Sequence, residues 1–359
     1  MAVHFYPLTV RDIRRETPDC VSVAFDIPEN LADTFKFIPG QNITLRKILR
    51  NEEIRRSYSI CSTPNEGELR VAIKKVEGGL FSGYANHELK PGDIIEVLPP
   101  TGRFYTPLNP ANKKTYVAFA AGSGITPLLS IIRTTLETEQ ESTFILIFGN
   151  RNRNSIIFRE ELEGIKNRYM SRFILYHTLS QEKTDTPLHS GRIDREKCNL
   201  LFDHLIGLHS VDEFFLCGPE EMIFTVKAFL EEKQVPQNKI HFELFTTPGR
   251  KTSNGEQQSL TDSSATSSVT VKLDGTAISF DLPYGSQSIL DAALEKGADL
   301  PYACKGGVCC TCKAKLISGE VEMEVNYGLE QDEIDAGFIL TCQAHPRSGN
   351  VVVDFDQRT

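Results

Sequence analysis

The sequence predicts a multidomain chain: a β-barrel domain, an α/β nucleotide-binding domain and a C-terminal α+β domain. Three observations predict it. Short strand-like runs split by Gly, Pro and Asn fill residues 1–108. Strand and helix patterns alternate over residues 109–246, as in a parallel sheet with crossover helices. Residues 246–268 are then polar, rich in Ser and Thr, and nearly free of large apolar side chains. Such a stretch cannot bury a core, so residues 247–268 are expected to be a flexible linker, with a separate domain over 269–359.

In the first domain the strand-like runs are 21–27, 42–45, 69–76 and 94–98, an all-β pattern suited to a barrel. In the second, residues 116–120, 144–148, 173–178 and 214–217 read as buried strands, and 128–138, 158–166 and 222–233 as helices. In the third, Asp274-Gly275 between two alternating runs is a hairpin signal. Ser288 opens a helix over 289–296, Gly297 closes it, and 314–317 and 351–355 read as further strands.

Composition narrows the function. With 40% hydrophobic and 24% charged residues, the chain is of ordinary globular type. No apolar run reaches the roughly 18–20 residues of a membrane helix, and the N-terminal sequence lacks an export signal. The expected location is the cytoplasm. A net charge of −9 argues against a nucleic-acid surface. Residues 269–359 hold 7 Lys+Arg against 14 Asp+Glu, so most of the excess acid lies there. That end either docks transiently on a basic partner or keeps a small domain in solution.

Four of the nine cysteines, Cys304, Cys309, Cys310 and Cys312, crowd into nine residues, a metal-binding density. The spacing Cys304-x4-Cys309-x2-Cys312, with Cys342 returning from a distant segment, is that of a plant-type [2Fe–2S] cluster. Two irons need four converging thiolates, and Gly306 and Gly307 let the backbone approach the sulfides. A zinc site would use Cys309-x2-Cys312, but no second such knuckle pairs with it. Cys310 is expected to be a bystander, and Cys20, Cys61 and Cys198 buried small apolar residues.

Four further signals stand in order. Arg56-Ser57-Tyr58-Ser59 offers a cation for a pyrophosphate, a ring to stack on a flavin and a hydroxyl for its N5 region; alone it would pass for a polar strand. Gly79-Leu80-Phe81-Ser82 opens a short helix whose free N–H groups suit phosphate oxygens. Gly122-Ser123-Gly124-Ile125-Thr126-Pro127 is a glycine-rich strand-to-helix turn able to receive a pyrophosphate, although proline ends it. Cys217-Gly218-Pro219 ends a strand, where a nicotinamide would lie in an open α/β sheet. Arg151 and Arg153 follow the second strand, with no acidic residue there to hold a free ribose diol, and favour NADPH over NADH; the alternative is that they are solvated loop charges.

Residues 269–359 resemble a plant-type ferredoxin over their whole length, through Pro301-Tyr302-Ala303-Cys304 and Leu340-Thr341-Cys342-Gln343. That resemblance implies a β-grasp fold. Residues 1–246 resemble the ferredoxin–NADP reductase superfamily. By that resemblance Arg56, Tyr58, Ser59, Gly79, Leu80, Phe81 and Ser82 bind FAD. Gly122, Gly124, Ile125, Thr126, Cys217, Gly218 and Pro219 then bind the nicotinamide nucleotide, with Tyr58, Ser59 and Cys217 at the reacting centre. Glu243 and Phe245 resemble residues near the flavin ring. Gln181 departs from the plant-type pattern, which has arginine there, and weakens the case for NADPH.

The order reductase then ferredoxin resembles reductases of multicomponent oxygenases, including those of ring and steroid hydroxylases. The implied path runs from NADPH through FAD and [2Fe–2S] to an oxygenase component. No paired Glu-x-x-His marks an oxygenase centre in this chain. A reductase of a soluble carrier and a redox sensor are the other readings.

Overall fold

The computed structural model describes residues 4–207, 210–245 and 265–357. Contacts divide the chain into two units, the larger built from Tyr6–Ile54 and Tyr58–Phe245 and the smaller from the C-terminal residues together with Phe5 and Arg55–Ser57.

The larger unit begins with β1 (Tyr6–Thr17), β2 (Cys20–Asp26), β3 (Asn42–Leu49), β4 (Glu52–Ser59), β5 (Leu69–Lys74) and β6 (Ile94–Val97), in the order β4-β3-β6-β1-β2-β5. Just past β4, Ile60 bridges Val71 of β5, so the two outer strands meet and the sheet curls into a barrel. Leu8, Val10, Val23, Phe25, Ile43 and Val71 fill it, alternating with outward polar residues. Helix α1 (Leu80–His87) adds Phe81 and Ala85 to that core.

Strands β1 and β4 lie outside the runs read from the sequence, because their outward faces are crowded with Arg and Glu, which strands disfavour. Those charges are partly used. The buried Arg70 guanidinium donates to Asp12 at 2.5 Å, Glu68 at 2.8 Å and Ser22 at 2.9 Å, tying β5 to β1 and β2. The Arg70 hydrogen bonds hold the Glu68 carboxyl down to about 2. This contribution is complete above the usual glutamate value of 4.5 and is lost as pH falls toward 2. Arg70→Met is expected to lower unfolding stability by about 2–3 kcal/mol at pH 7, with a smaller loss at pH 3, as measured by urea titration.

The same unit continues with β7 (Thr115–Ala121), α2 (Ile125–Thr138), β8 (Thr143–Asn150), α3 (Arg159–Arg168), β9 (Phe173–Leu179), α4 (Arg195–His204), β10 (Glu213–Gly218), α5 (Glu220–Glu232) and β11 (Ile240–Leu244). The sheet is parallel, in the order β11-β10-β7-β8-β9. Chain order reverses between β7 and β10, which opens a crevice at their C-terminal ends. Helix α2 is buried nearly all round, its serine and several threonines included, because it is covered on two sides. It packs on the sheet and also on Cys20, Cys61, Ala72 and Phe104, and Ser130 donates to the Ser62 carbonyl at 2.6 Å.

In the smaller unit β12 (Thr266–Leu273), β13 (Thr276–Pro283), α6 (Ile289–Glu295), β14 (Lys313–Ser318), β15 (Val321–Met323), α7 (Gln331–Asp335), β16 (Phe338–Leu340), β17 (Ala344–Pro346) and β18 (Asn350–Asp354) follow in turn. The main sheet runs β13-β12-β18-β14-β16, with β12 and β18 parallel, and α6 packs Ile289, Leu290 and Ala293 against it. The expected hairpin turn is present at Asp274-Gly275, both with positive φ, and the Ser288 side chain caps α6. Strand β12 starts at Thr266, three residues inside the span expected to be linker; the rest of that span, to residue 264, lies outside the described residues. Among the described residues no helix is long and apolar enough to cross a membrane.

Candidate functional site

The crevice at the C-terminal edge of the parallel sheet gathers three of the sequence signals. Beyond β7 the chain makes a 3₁₀ turn, Gly122–Gly124, and enters α2 with no side-chain cap on its first N–H groups. Gly124 has an ordinary φ of −61°; it is glycine for want of room. A Cβ there would lie 2.0 Å from the Cys217 carbonyl oxygen and 2.7 Å from the Gly218 nitrogen. The turn after β7 and the end of β10 therefore touch backbone to backbone. The side chains of Ile125 and Cys217 are fully buried, so each can offer a ligand only its main chain or a neutral edge. Burial pushes the Cys217 thiol well above its usual range. Thr126 spends its hydroxyl on the Ser123 carbonyl, 3.0 Å away, and Pro219 forms the N-cap of α5.

On the barrel side of the same unit, Ser59 at the end of β4 donates to Glu243 of β11 at 2.9 Å. Desolvation pushes the Glu243 carboxyl up to about 7, only partly offset by the Ser59 hydroxyl. The neutral form is thus favoured by folding. Its stability contribution is complete below 4.5 and is lost as pH rises through 7. Glu243→Gln is expected to gain about 3 kcal/mol over wild type at pH 8 and nothing at pH 4, as read from denaturant midpoints at the two pH values.

Tyr58 stacks obliquely on Phe81, their ring centres 5.8 Å apart, and Phe81 is itself in the barrel core. Gly79 is the N-cap of α1 and supplies no side-chain cap, which leaves the Leu80 and Phe81 end of the helix as N–H donors. Ser82 is committed to the turn, accepting from the Val76 N–H at 3.1 Å and donating to the Gly79 carbonyl. Arg56 lies on β4 and bonds the Arg55 carbonyl at 2.7 Å. Phe245, the last described residue before 265, is exposed.

Arg151 and Arg153 sit past the end of β8, as expected, but the absence of an acid there is corrected. The next loop brings Glu182 against Arg153, and its carboxylate accepts the Arg153 backbone N–H at 2.7 Å. The sequence hid it because Glu182 is about thirty residues downstream, after β9. Two more residues escaped the sequence reading. The Lys74 ammonium, at the end of β5, stands 3.8 Å from where a Gly122 Cβ would be. The buried Asn150 amide, at the C-terminal end of β8, finds no partner for either polar atom. An uncapped helix start, a lysine beside a glycine turn and an orphaned amide on one sheet edge suit a phosphate-bearing dinucleotide.

In the smaller unit the four predicted cysteines converge. The Cys304 and Cys309 sulfurs are 3.1 Å apart. The Cys342 thiol reaches those of Cys304 and Cys312, whose contact raises its pKa. Cys304 acts as the acceptor: donation from Cys309, Cys342 and the Gly306 and Val308 N–H groups pulls its thiol well down. Gly307, with φ +69°, has no space for a Cβ, which would lie 2.7 Å from the Val325 carbonyl oxygen. Among the described residues no three His, Cys, Asp or Glu side chains are grouped to hold one metal ion. Thiols linked in pairs, with backbone N–H groups on one sulfur, suit a two-iron cluster better than a tetrahedral zinc.

Comparison with known proteins agrees with this layout. Three protein-family models match: an oxidoreductase FAD-binding domain over residues 7–106, an oxidoreductase NAD-binding domain over 119–228 and a 2Fe-2S iron-sulfur cluster binding domain over 271–347. The chain is therefore an oxidoreductase that joins flavin, nicotinamide-nucleotide and iron–sulfur domains for electron transfer. It is 46% identical to one subunit of the 1,2-phenylacetyl-CoA epoxidase of Escherichia coli K12, over 99% of this chain and 98% of that one, and it belongs to that family. It is also 32% identical to the ferredoxin reductase component of 3-ketosteroid-9-alpha-monooxygenase from Rhodococcus rhodochrous, over 97% of this chain and 96% of that one. Among solved structures, phthalate dioxygenase reductase shares the fold, with a TM-score of 0.57 at 23% identity and 98% coverage of both chains.

Proposed function

We propose that this chain oxidises NADPH and passes the electrons singly to the oxygenase component of a 1,2-phenylacetyl-CoA epoxidase. The single observation that carries the partner is similarity along the whole chain to one subunit of that enzyme, at 46% identity. When bound, FAD supplies the conversion of a two-electron hydride into single electrons, and the [2Fe–2S] cluster relays them.

The residues have distinct tasks in this reading. The backbone at Gly122, Gly124 and Cys217 to Pro219 positions the dinucleotide against the flavin, with Lys74 facing its phosphates. Arg56 and the start of α1 hold the FAD pyrophosphate, and Tyr58 covers the ring. Ser59 and Glu243 hold a proton beside the flavin near neutral pH. Cys304, Cys309, Cys312 and Cys342 ligate the irons. The acidic C-terminal domain docks transiently on the oxygenase.

Arg151 and Arg153 would hold a 2′-phosphate, with Glu182 the group that a free ribose diol would use instead. The double variant Arg151→Ala, Arg153→Ala is expected to raise KM for NADPH about tenfold and to leave KM for NADH near its starting value. Equal changes for both nucleotides would remove the arginines from 2′-phosphate recognition.

Reconstitution tests the partner. The purified protein, mixed with the oxygenase component, phenylacetyl-CoA and NADPH, is expected to yield NADPH-dependent epoxide. No product with an oxygenase shown to be active would sink the partner while leaving the electron-transfer role. The second reading, a steroid hydroxylase reductase, is supported by the 32% relative and predicts turnover with that oxygenase instead.

A further inference from the structure

The side chain of Gln343 joins the two stretches that carry Cys304 and Cys342. Its Nε2 donates to the Lys305 carbonyl at 3.1 Å and to the Cys342 carbonyl at 3.0 Å. Lys305 follows Cys304 directly in the chain, and Gln343 follows Cys342 directly. Both hydrogens of the amide are thereby used, and two carbonyl acceptors identify this end of the side chain as the nitrogen. The main chain of Gln343 is held from both sides. Its N–H donates to the Leu340 carbonyl at 2.9 Å, and its carbonyl accepts the Glu324 N–H at 3.1 Å. Its Cγ packs 3.0 Å from where a Gly307 Cβ would be.

Lys305 has a φ of +52°, a left-handed conformation that a residue with a Cβ seldom adopts. In a trans peptide the C=O of one residue and the N–H of the next point in opposite directions. Holding the Lys305 carbonyl therefore aims the Gly306 N–H, and that N–H donates to the Cys304 Sγ at 3.3 Å. The Val308 N–H is a second donor to the same sulfur. A hydrogen bond onto a ligand sulfur favours the more negative, reduced cluster, and so raises its potential. Gln343 acts on that sulfur through a single peptide group and carries no charge of its own.

We propose that Gln343 is a positioning residue that aims the Gly306 N–H at Cys304 and so raises the reduction potential of the cluster. It ligates no iron, and the inference rests on the reading of the four cysteines as ligands. Gln343→Met keeps a side chain of similar length and the same charge but removes the donor. The peptide between Lys305 and Gly306 then turns, Lys305 leaves the left-handed region, and the Gly306 N–H swings off the sulfur. The Val308 N–H stays. The Lys305 ammonium also stays tied to Asp291 of α6, 2.7 Å away, so the loop keeps its outer anchor. The one-electron equilibrium is expected to shift about tenfold against reduction, a fall of 59 mV. Gln343→Glu removes the same donor and adds a negative charge, so its potential is expected to fall further.

The test takes two readings on the full-length holoprotein, with iron and sulfide counted in every sample. One is a potentiometric titration followed by the paramagnetic signal of the reduced cluster. The other is the pulsed resonance spectrum after exchange into D2O, which reads the coupling of the nearest amide deuterons to the cluster spin. A lower potential with a weakened deuteron coupling, at full cluster content, supports the proposal. A purely structural role would reduce cluster content and leave the potential and coupling of the remaining clusters as in wild type, and that result would overturn it. An unchanged or raised potential, or a fall with the wild-type coupling intact, would overturn it equally. If Gln343→Met assembles no cluster, Gln343→Glu decides by the same two readings, and failure of both to assemble one counts against the proposal. Failure of the ligand reading would show separately, as a cluster retained when Cys342 itself is replaced.

Discussion

Replacing Cys342 by serine abolishes the [2Fe–2S] signal of the purified protein and leaves its FAD in place. Reduction of one-electron acceptors through the cluster falls to background. The effect is expected to be all-or-none because a cluster has four protein ligands and no spare. The nearby thiol, Cys310, occupies the wrong spacing for the loop. The backbone around Cys342 is fixed by contacts that serine leaves intact. Leu340 and Thr341 are fully buried, and the Thr341 hydroxyl and N–H both reach the Cys312 carbonyl. The substitution exchanges one side-chain atom, so the fold has little reason to change. The residues proposed to hold FAD lie elsewhere in the chain, on β4 and at the start of α1. Absorbance, iron content and released FAD, measured on one preparation, check all three statements. An intact cluster in this variant would mean that the ligand set is wrong.

Gly124→Ala is the second change with a large expected effect. A methyl group at this position has no place to go. Its Cβ would be 2.0 Å from the Cys217 oxygen and 2.3 Å from the Cys217 carbon, both backbone atoms, which cannot rotate aside. Either the turn after β7 or the end of β10 must move by an ångström or more. Overpacking of this kind costs about 3 kcal/mol. If this turn seats the dinucleotide as proposed, the same displacement moves it away from the flavin, and misplacement on that scale is expected to lower hydride transfer about 100-fold. Flavin content should be unchanged, since the residues proposed to hold FAD are carried by β4 and α1. Stopped-flow measurement of flavin bleaching by NADPH reads the rate. A normal rate would show that the close contact of these two backbones does not position the nucleotide.

The cysteine loop was the most legible part of the sequence, because ligand spacing within one loop is a local property. The parallel strands were legible too: runs such as Phe144–Phe148 are apolar on both faces and buried on both faces. Strand β1 was not. Its Arg and Glu residues interrupt the apolar pattern, and only the fold reveals that Asp12 has Arg70 as a partner. The site shows the same division. Tyr58, Ser59 and the glycine turns could be found as motifs. Lys74 and Glu182 could not, since each matters only through a neighbour distant in sequence, and Asn150 stands out only in the fold, as a buried amide with both polar atoms unmatched. Ser59 and Glu243 are 184 residues apart; each was picked out by resemblance, but their hydrogen bond, and the raised carboxyl that accompanies it, belong to tertiary structure.

The central claim is that electrons from a nicotinamide nucleotide reach the iron–sulfur cluster of this chain through its flavin. Anaerobic mixing of the holoprotein with NADPH, freezing at successive times and recording the low-temperature paramagnetic spectrum tests it most directly. The flavin is expected to bleach first, followed by the signal of a reduced [2Fe–2S] cluster, absent when Cys342 is serine. A cluster that stays oxidised while the flavin is fully reduced would contradict it.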